Sequence, residues 1–447
     1  MILKTYCFKH QLQAYDFIQD ENNFALYMEM GTGKTRTILE FIKQKYISTV
    51  IYFCPVCLKK TVELELKKHI YNPLYFIESG QKSFLLGFQF YIIGIESINS
   101  DRVFFALNSF LEKLTCKYLI VVDESSFIKS FYAKRTHRII DLSKKATYRV
   151  VMTGTPITQY YQDLYMQFRF LDSSIIKYRS YQGFCSRYLI YHKEYKNFIT
   201  GSKNIKELLD QVSPYIYQIK KSECLDLPKK LYKNYYCVLS KEARCVYKEI
   251  KEEFLSKIDF FYERERYNSI SIEIFKLYMQ LQRIVANDSE NRIEVLKNIL
   301  QDINRVCIIC KFIKEIEIIN KEYPGAVLYT GKESIKQRNK ILENIDNVKI
   351  LLMTFGVGSH GLNLMSFNTC IYYSSVFKYG ERLQSEDRFH RIGQTRNVLY
   401  LNIICQDTID EIIQANLSKK ESVKDFFEDA LKEIKTKDEL KQFIKRL

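Results

Sequence analysis

Phe24-Ala25-Leu26-Tyr27-Met28-Glu29-Met30-Gly31-Thr32-Gly33-Lys34-Thr35, residues 24 to 35, leads a short apolar strand into a glycine-rich turn and ends on a Lys-Thr pair. Gly31 and Gly33, on either side of Thr32, let backbone N–H groups turn onto a polyphosphate; Lys34 then reaches its terminal oxygens, and the Thr35 hydroxyl suits Mg²⁺. A helix starting there adds the positive end of its dipole. Met28 stands where the strict eight-residue pattern has its first glycine, so the loop is a shortened form. A glycine turn without a ligand is the competing reading, and the Lys-Thr that follows weighs against it.

Outward from that loop, short apolar runs alternate with helical patterns: Phe24 to Met28, Val50 to Phe53, Phe90 to Ile93, Leu119 to Val122 and Tyr148 to Met152. Such alternation predicts a parallel sheet covered by helices on both faces, with the phosphate loop after its first strand. A second series, Val306 to Cys310, Ala326 to Tyr329, Ile350 to Met353, Cys370 to Tyr373 and Val398 to Ile404, predicts a second layered domain. Between the two, Val246, Ile250, Phe254 and Ile258, then Ile274, Tyr278 and Gln282 with Leu277 and Leu281, keep helical spacing. Leu225-Asp226-Leu227-Pro228 has turn chemistry near a boundary and places a linker near residues 220 to 235.

The expected class is therefore α/β, with two parallel-sheet domains in tandem. The first covers residues 1–225, a linker and helical insertion 226–300, the second sheet 301–420 and a helical tail 421–447. In the tail Phe426, Phe427, Leu431, Ile434, Leu440 and Phe443 alternate with charges, which suits a brace on the body; a partner contact is the alternative.

A length of 447 residues and 47% apolar content fit more than one globular core. No apolar run approaches the roughly eighteen residues of a membrane span, and Met1-Ile2-Leu3-Lys4-Thr5 lacks a signal peptide's apolar core. A cytoplasmic or nucleoid protein is expected, nuclear in a nucleated host, with no membrane partner. The formal charge of +16, from 68 Lys+Arg against 52 Asp+Glu, fits a polyanion held through its phosphates. No long block of like charge occurs, so a dispersed, solvated surface stays open as an alternative. Cys54-x-x-Cys57 and Cys307-x-x-Cys310 have ligand-like spacing, but both lie in or beside strand-like runs, where buried free thiols are expected instead of a metal.

Leu119-Ile120-Val121-Val122-Asp123-Glu124 is a buried strand ending in two carboxylates. Following a phosphate loop, Asp123 suits Mg²⁺ held through water, and Glu124 suits orienting and deprotonating the attacking water. The spacing from the loop fits a neighbouring strand of one sheet.

The order of these signals resembles helicase superfamily two, the DEAD/DEAH-box-like ATPases, and within it the Swi/Snf-type DNA translocases. Asp123-Glu124-Ser125-Ser126-Phe127-Ile128-Lys129 is similar to the family's Asp-Glu box, and Thr153-Gly154-Thr155-Pro156-Ile157 to its third motif. Phe8-Lys9-His10-Gln11 matches the family's start, which implies that Gln11 reads the adenine edge. Leu227-Pro228, Leu239-Ser240 and Tyr247 resemble the passage into the second lobe. Asp387-Arg388-Phe389-His390-Arg391-Ile392-Gly393-Gln394 is the most specific match.

The resemblance implies two RecA-like lobes, with ATP and Mg²⁺ as cofactors. It implies an arginine-finger role for Arg388 and Arg391, with Gln384 one helical turn earlier on the same face. Thr354-Phe355-Gly356-Val357-Gly358-Ser359-His360-Gly361-Leu362-Asn363-Leu364 looks like the fifth motif, in which Gly358 allows close approach to phosphate. Pro55, Thr155, Thr354 and Asn363 are the nucleic-acid contacts it implies. Three positions depart from the pattern: Ser126 stands where histidine is common, Ser359 replaces a glycine, and Phe377-Lys378-Tyr379 occupies the place of Trp-Asn-Pro. None removes a phosphate, metal or finger group.

The expected activity is ATP hydrolysis driving movement along nucleic acid, foremost double-stranded DNA. A strand-separating DNA or RNA helicase is one alternative, and an ATP-switched binding factor with little turnover is another. The chain starts close to the Gln11 motif and ends soon after the second lobe, so a minimal engine of phage or bacterial type is expected. A monomer suffices for it, served by a separate protein recruiter.

Overall fold

The computed structural model describes residues 1–71, 75–77, 89–157, 160–191, 199–264, 267–288, 290–358, 362–419 and 437–445. Its contacts divide the chain into two units, Met1–Asp226 and Leu227–Leu447.

The first unit holds strands β1 (Asn23–Met28), β2 (Thr49–Cys54), β3 (Tyr75–Ile77), β4 (Gln89–Gly94), β5 (Tyr118–Asp123) and β6 (Tyr148–Met152). A hairpin of β7 (Leu189–Tyr191) and β8 (Ile199–Ser202) precedes β9 (Ile216–Ile219). Seven of these form one sheet in the order β3-β4-β2-β5-β6-β1-β9, with every pairing parallel. Parallel strands need helical crossovers, and both faces become buried. Alternate residues of β1 accordingly enter different cores. Phe24, Leu26 and Met28 meet Ile38 and Phe41 of helix Lys34–Gln44 and Leu66 of helix Lys59–His69. Ala25 lies on the other side, in the core that holds Leu107, Ile139 and Phe168.

The second unit repeats the scheme with β10 (Lys230–Cys237), β11 (Val306–Cys310), β12 (Val327–Tyr329), β13 (Ile350–Thr354), β14 (Thr369–Tyr372) and β15 (Val398–Cys405). Their order is β10-β15-β14-β11-β13-β12, again parallel throughout. Val306, Ile308 and Cys310 face one core, and Cys307 and Ile309 the other. The tandem α/β architecture expected from the apolar runs is present.

All ten expected strands form. Edge strands β3, β9 and β10 and the β7–β8 hairpin lie outside the expected runs, and β10 begins inside the stretch assigned to the linker. β5 is not the immediate neighbour of β1, because β6 lies between them. The helical insertion forms as Lys241–Arg264, Tyr267–Asn287 and Glu290–Leu300. Ile274, Leu277, Tyr278 and Leu281 are buried as their spacing requires, but Val246 is 44% exposed. Its neighbour Tyr247 turns inward instead, where its hydroxyl accepts the Ile409 N–H at 2.9 Å.

In the tail, helix Lys437–Lys445 sinks Leu440 and Ile444 into the second unit's core; Phe426, Phe427, Leu431 and Ile434 lie outside the described residues. Cys54, Cys307 and Cys310 are buried free thiols, whereas Cys57 is exposed on the turn Val56–Leu58, away from the strand that buries Cys54. Among the described residues no group of three metal-capable side chains occurs, and no helix is long and apolar enough to cross a membrane.

Candidate active site

The loop after β1 is shaped by two left-handed glycines, Gly31 at φ 81° and Gly33 at φ 88°, and Gly33 caps helix Lys34–Gln44. Both conformations are costly for any residue with a Cβ. The Thr32 carbonyl is held from behind by His10 Nε2 at 2.7 Å and Gln11 Nε2 at 3.1 Å, while the Thr32 hydroxyl donates to the Glu29 carbonyl at 2.8 Å. A trans peptide is planar, so fixing this carbonyl points the Gly33 N–H the opposite way. Edge strand β9 holds the other flank: the Glu29 N–H donates to the Ile219 carbonyl at 3.1 Å, and the Glu29 carboxylate accepts the Lys221 N–H at 2.9 Å.

Gln11 is thus a clamp on the phosphate loop. Its Oε1 also accepts the Phe8 N–H at 3.0 Å, which leaves one amide hydrogen for an adenine edge. Lys34 Nζ lies 3.0 Å from the Met28 carbonyl, folded over the loop it belongs to.

The two carboxylates stand at the end of β5. Tyr52, in the middle of β2, donates its hydroxyl to Asp123 Oδ2 at 2.9 Å and is hydrogen-bonded by Thr35. One phenol therefore joins the magnesium-type hydroxyl of the phosphate loop to the acidic strand end, a link the sequence reading missed. Asp123 Oδ1 accepts the Glu124 N–H at 3.0 Å. Burial, and then the neighbouring Glu124 charge, push the Asp123 carboxyl up to about 6 against the pull of Lys34. Glu124 takes φ 50°, a left-handed conformation rare for a residue with a side chain. Thr35, Asp123 and the Tyr52 oxygen make a hard-oxygen environment that fits Mg²⁺.

The loop after β6 closes on the same place. A Cβ on Gly154 would come within 3.2 Å of the Met30 nitrogen, so this loop and the phosphate loop touch backbone to backbone. The Thr155 N–H donates to Thr153 Oγ1 at 3.1 Å. Gln167, fully buried on helix Asp163–Leu171, was also missed. Its Oε1 accepts Ser125 Oγ at 2.6 Å, and its Nε2 donates to the Pro156 carbonyl at 2.9 Å and the Asp163 carbonyl at 2.8 Å. Ser125, not the half-buried Ser126, makes this link from the Asp-Glu turn to the loop after β6. Pro55 is buried after β2, and the following Val56 N–H donates to Glu96 at 3.0 Å.

In the second unit Thr354 ends β13 and Gly358 ends the short helix Phe355–Gly358; residues 359–361, with Ser359, lie outside the described residues. Asn363 is exposed and accepts the Met365 N–H at 3.3 Å. The next residue, Leu364, donates its N–H to the Arg388 carbonyl at 3.1 Å, which joins the fifth-motif segment to the arginine segment. Gln384 is half-buried on helix Tyr379–Glu386, and that helix stops before Arg388. The expected continuous helical face through Gln384 and Arg388 is therefore corrected: the Arg388 N–H bonds back to Ser385, three residues away, tightening the chain into a turn. Arg388 is buried and Arg391 half-buried. Phe377, in the Trp-Asn-Pro position, carries Lys311 Nζ 3.5 Å from its ring centroid.

Residues 10–290 match the family model of the SNF2-related domain, and residues 291–393 that of the helicase conserved C-terminal domain. The chain is similar to an uncharacterized ATP-dependent helicase of Mycoplasma genitalium, 24% identical over 455 residues that cover 93% of the chain and 42% of that protein. It is also similar to the chromodomain-helicase-DNA-binding protein 1-like of Mus musculus, 23% identical over 351 residues, covering 69% and 38%. Among solved structures, the Sulfolobus solfataricus SWI2/SNF2 ATPase core in complex with dsDNA is 24% identical at a TM-score of 0.46, covering 93% and 92%. The chain spans about two fifths of the length of the first curated relatives it matches, 42% and 40%.

Proposed function

The chain belongs to the SNF2-related family, and from that premise we propose that it is an ATP-driven motor that translocates along double-stranded DNA. The observation that carries this reading is the hydrogen-bonded path from Thr35 through Tyr52 to Asp123 beside Lys34. It supports one site that receives a triphosphate at the loop and water at the acidic strand end. Gly31, Thr32, Gly33 and Lys34 bind the phosphates, and Gln11 orients the adenine. Thr35 and Asp123 are the donors for Mg²⁺, which neutralises charge on the phosphate oxygens when bound. Glu124 takes the proton of the attacking water.

Arg388 and Arg391 supply positive charge as the phosphoanhydride breaks, with Gln384 beside them and Gly358 close to the phosphates. Thr155 and exposed Asn363 are the contacts to nucleic acid, while Pro55 and Thr354, both buried, shape the segments that would meet it. Cycles of ATP binding and hydrolysis convert turnover into steps.

The test is phosphate release by the full chain with duplex DNA, single-stranded DNA and RNA, paired with two displacement assays. Stimulation by duplex DNA with displacement of a triplex strand is the expected result. Unwinding of a tailed duplex would make the protein a strand-separating helicase instead. Nucleotide binding without turnover would leave an ATP-switched binding factor. Affinity for DNA is expected to fall steeply with salt, because each phosphate contact releases a counterion.

A further inference from the structure

The arginine segment is tied to the first residues of its own unit. His390 Nε2 lies 2.7 Å from the Pro228 carbonyl. A carbonyl only accepts, so the imidazole carries a proton on that nitrogen. Beside it the Lys229 N–H donates to Asn397 Oδ1 at 3.0 Å, and the Lys229 carbonyl accepts the Val398 N–H at 3.1 Å. Lys230 Nζ is 3.2 Å from Glu386 and 3.6 Å from Asp387, and the Tyr232 hydroxyl donates to the same Glu386 oxygen at 2.8 Å.

The other Glu386 oxygen accepts Arg382 Nε at 3.0 Å. Arg382 is itself buried, with its guanidinium 3.3 Å from the Tyr372 ring centroid and a 2.8 Å bond to Asn402. Burial works to raise the Glu386 carboxyl, and the cations Arg382 and Lys230 outweigh it, so the group sits below the usual carboxylate range. An exposed ion pair contributes little. Here Glu386 is buried and Lys230 half-buried, and the carboxylate has three side-chain partners that join residues 230 and 232 to residue 386.

Residues 228 to 232 come directly after the boundary between the units at Asp226 and Leu227. The chain arriving from the first unit enters the second here, so any pull carried by the connecting chain acts on this strap. Pro228 fixes its own φ and keeps Leu227 extended, which makes the strap stiff.

We propose that His390 is a positioning residue, supported by the Glu386 clamp, that couples movement of the strap at Pro228 to the placement of the adjacent Arg388 and Arg391. The proposal rests on the finger role of those arginines stated above. Displacing Pro228 draws on His390, and His390 lies between the two arginines in the chain.

The experiment measures kcat and KM for ATP, triplex displacement per ATP and thermal midpoint on the full chain with saturating duplex DNA, for His390→Ala, His390→Gln, Tyr232→Phe and Arg391→Ala. His390→Ala is expected to lower kcat about tenfold, to move KM by less than about twofold, and to displace less strand per ATP. His390→Gln, whose side-chain amide can donate to the same carbonyl, is expected to restore kcat to within about threefold of wild type. Tyr232→Phe removes one clamp hydrogen bond and should lower kcat about twofold to threefold.

A wild-type kcat in His390→Ala, with Arg391→Ala inactive, overturns the coupling and leaves the finger reading standing. Equal losses in His390→Ala and His390→Gln that follow the thermal midpoint also overturn it, since the residue is then structural. Full turnover in Arg391→Ala overturns the finger reading, and the coupling with it.

Discussion

The phosphate loop and the arginine segment are held in opposite ways. The loop is fixed mainly through its own backbone groups: left-handed Gly31 and Gly33, the Thr32 carbonyl under His10 and Gln11, the Met28 carbonyl under Lys34, and the Glu29 N–H on the Ile219 carbonyl. The arginine segment is fixed by side chains from far along the chain, with Lys230 and Tyr232 on Glu386 and His390 on Pro228. A loop built from backbone is already shaped before a ligand arrives, which favours binding. A segment suspended on side chains can be moved as a piece, which favours coupling. Binding should therefore depend on the first region and turnover on both.

The largest effect separates those two quantities inside the first unit. Glu124→Gln is expected to lower turnover by about a thousandfold, as loss of a general base does, while leaving nucleotide affinity near wild type. Lys34→Ala is expected to weaken nucleotide binding first. Equilibrium binding of a fluorescent ATP analogue alongside single-turnover phosphate release checks both. Equal loss of affinity in the two variants would break the division between loop and strand end.

A stability effect of similar size is expected in the second unit, where buried charge is structural. Arg292, 1% exposed, contacts Asp410, lies 3.8 Å from Glu315 and sits over the Tyr373 ring. Arg292→Met leaves two buried carboxylates without their cation and should cost about 3 to 5 kcal/mol. Urea unfolding reads this directly, and a change below about 1 kcal/mol would mean that the carboxylates relax to other partners.

A smaller loss is expected at Gln167. Gln167→Leu removes the bridge from Ser125 to the Pro156 carbonyl and leaves buried polar atoms unmatched, a cost of about 1 to 3 kcal/mol. If the bridge also sets the Asp-Glu turn, kcat should fall about tenfold with KM little changed. Wild-type kcat in a destabilised Gln167→Leu would reduce the residue to packing.

How legible each region is in the sequence follows from the same contrast. The ten core strands show as apolar runs because parallel strands are buried on both faces. The loop shows because its parts are contiguous. β10 does not show: Lys230-Leu231-Tyr232-Lys233-Asn234-Tyr235-Tyr236-Cys237 is a largely exposed edge strand without an apolar run, and its partner β15 is far away in the chain. Tyr52 and Gln167 were hidden inside apolar segments, yet each left a trace. A tyrosine in a buried central strand must find a partner for its hydroxyl, and a glutamine between Met166 and Phe168 must find partners for its amide. The clamps from β10 onto Glu386, where the helix ends, left no such trace, because residues 230 and 232 lie far from residue 386 in the chain.

The last expected effect is a pH dependence confined to the second unit. Lys311 is enclosed by Phe377, Gln282 and Met279. Burial pulls its ammonium down to about 7, with Arg283 acting in the same direction and Glu381, Glu315 and Asp410 opposing. An unfolded lysine titrates near 10.4. Between those two values the unfolded chain binds a proton that the folded one lacks, so stability should rise with pH from about 7 towards 10 and lose this gain as pH falls through 7. Lys311→Met removes the titrating group and keeps the volume. The difference between wild-type and Lys311→Met unfolding free energies, measured from pH 6.5 to 9.5, cancels every group the two proteins share. A difference that grows in favour of the wild type as pH rises matches a lysine buried at a cost. Parallel curves would mean that water reaches the ammonium and that the Phe377 ring, standing where the family carries tryptophan, does not enclose it.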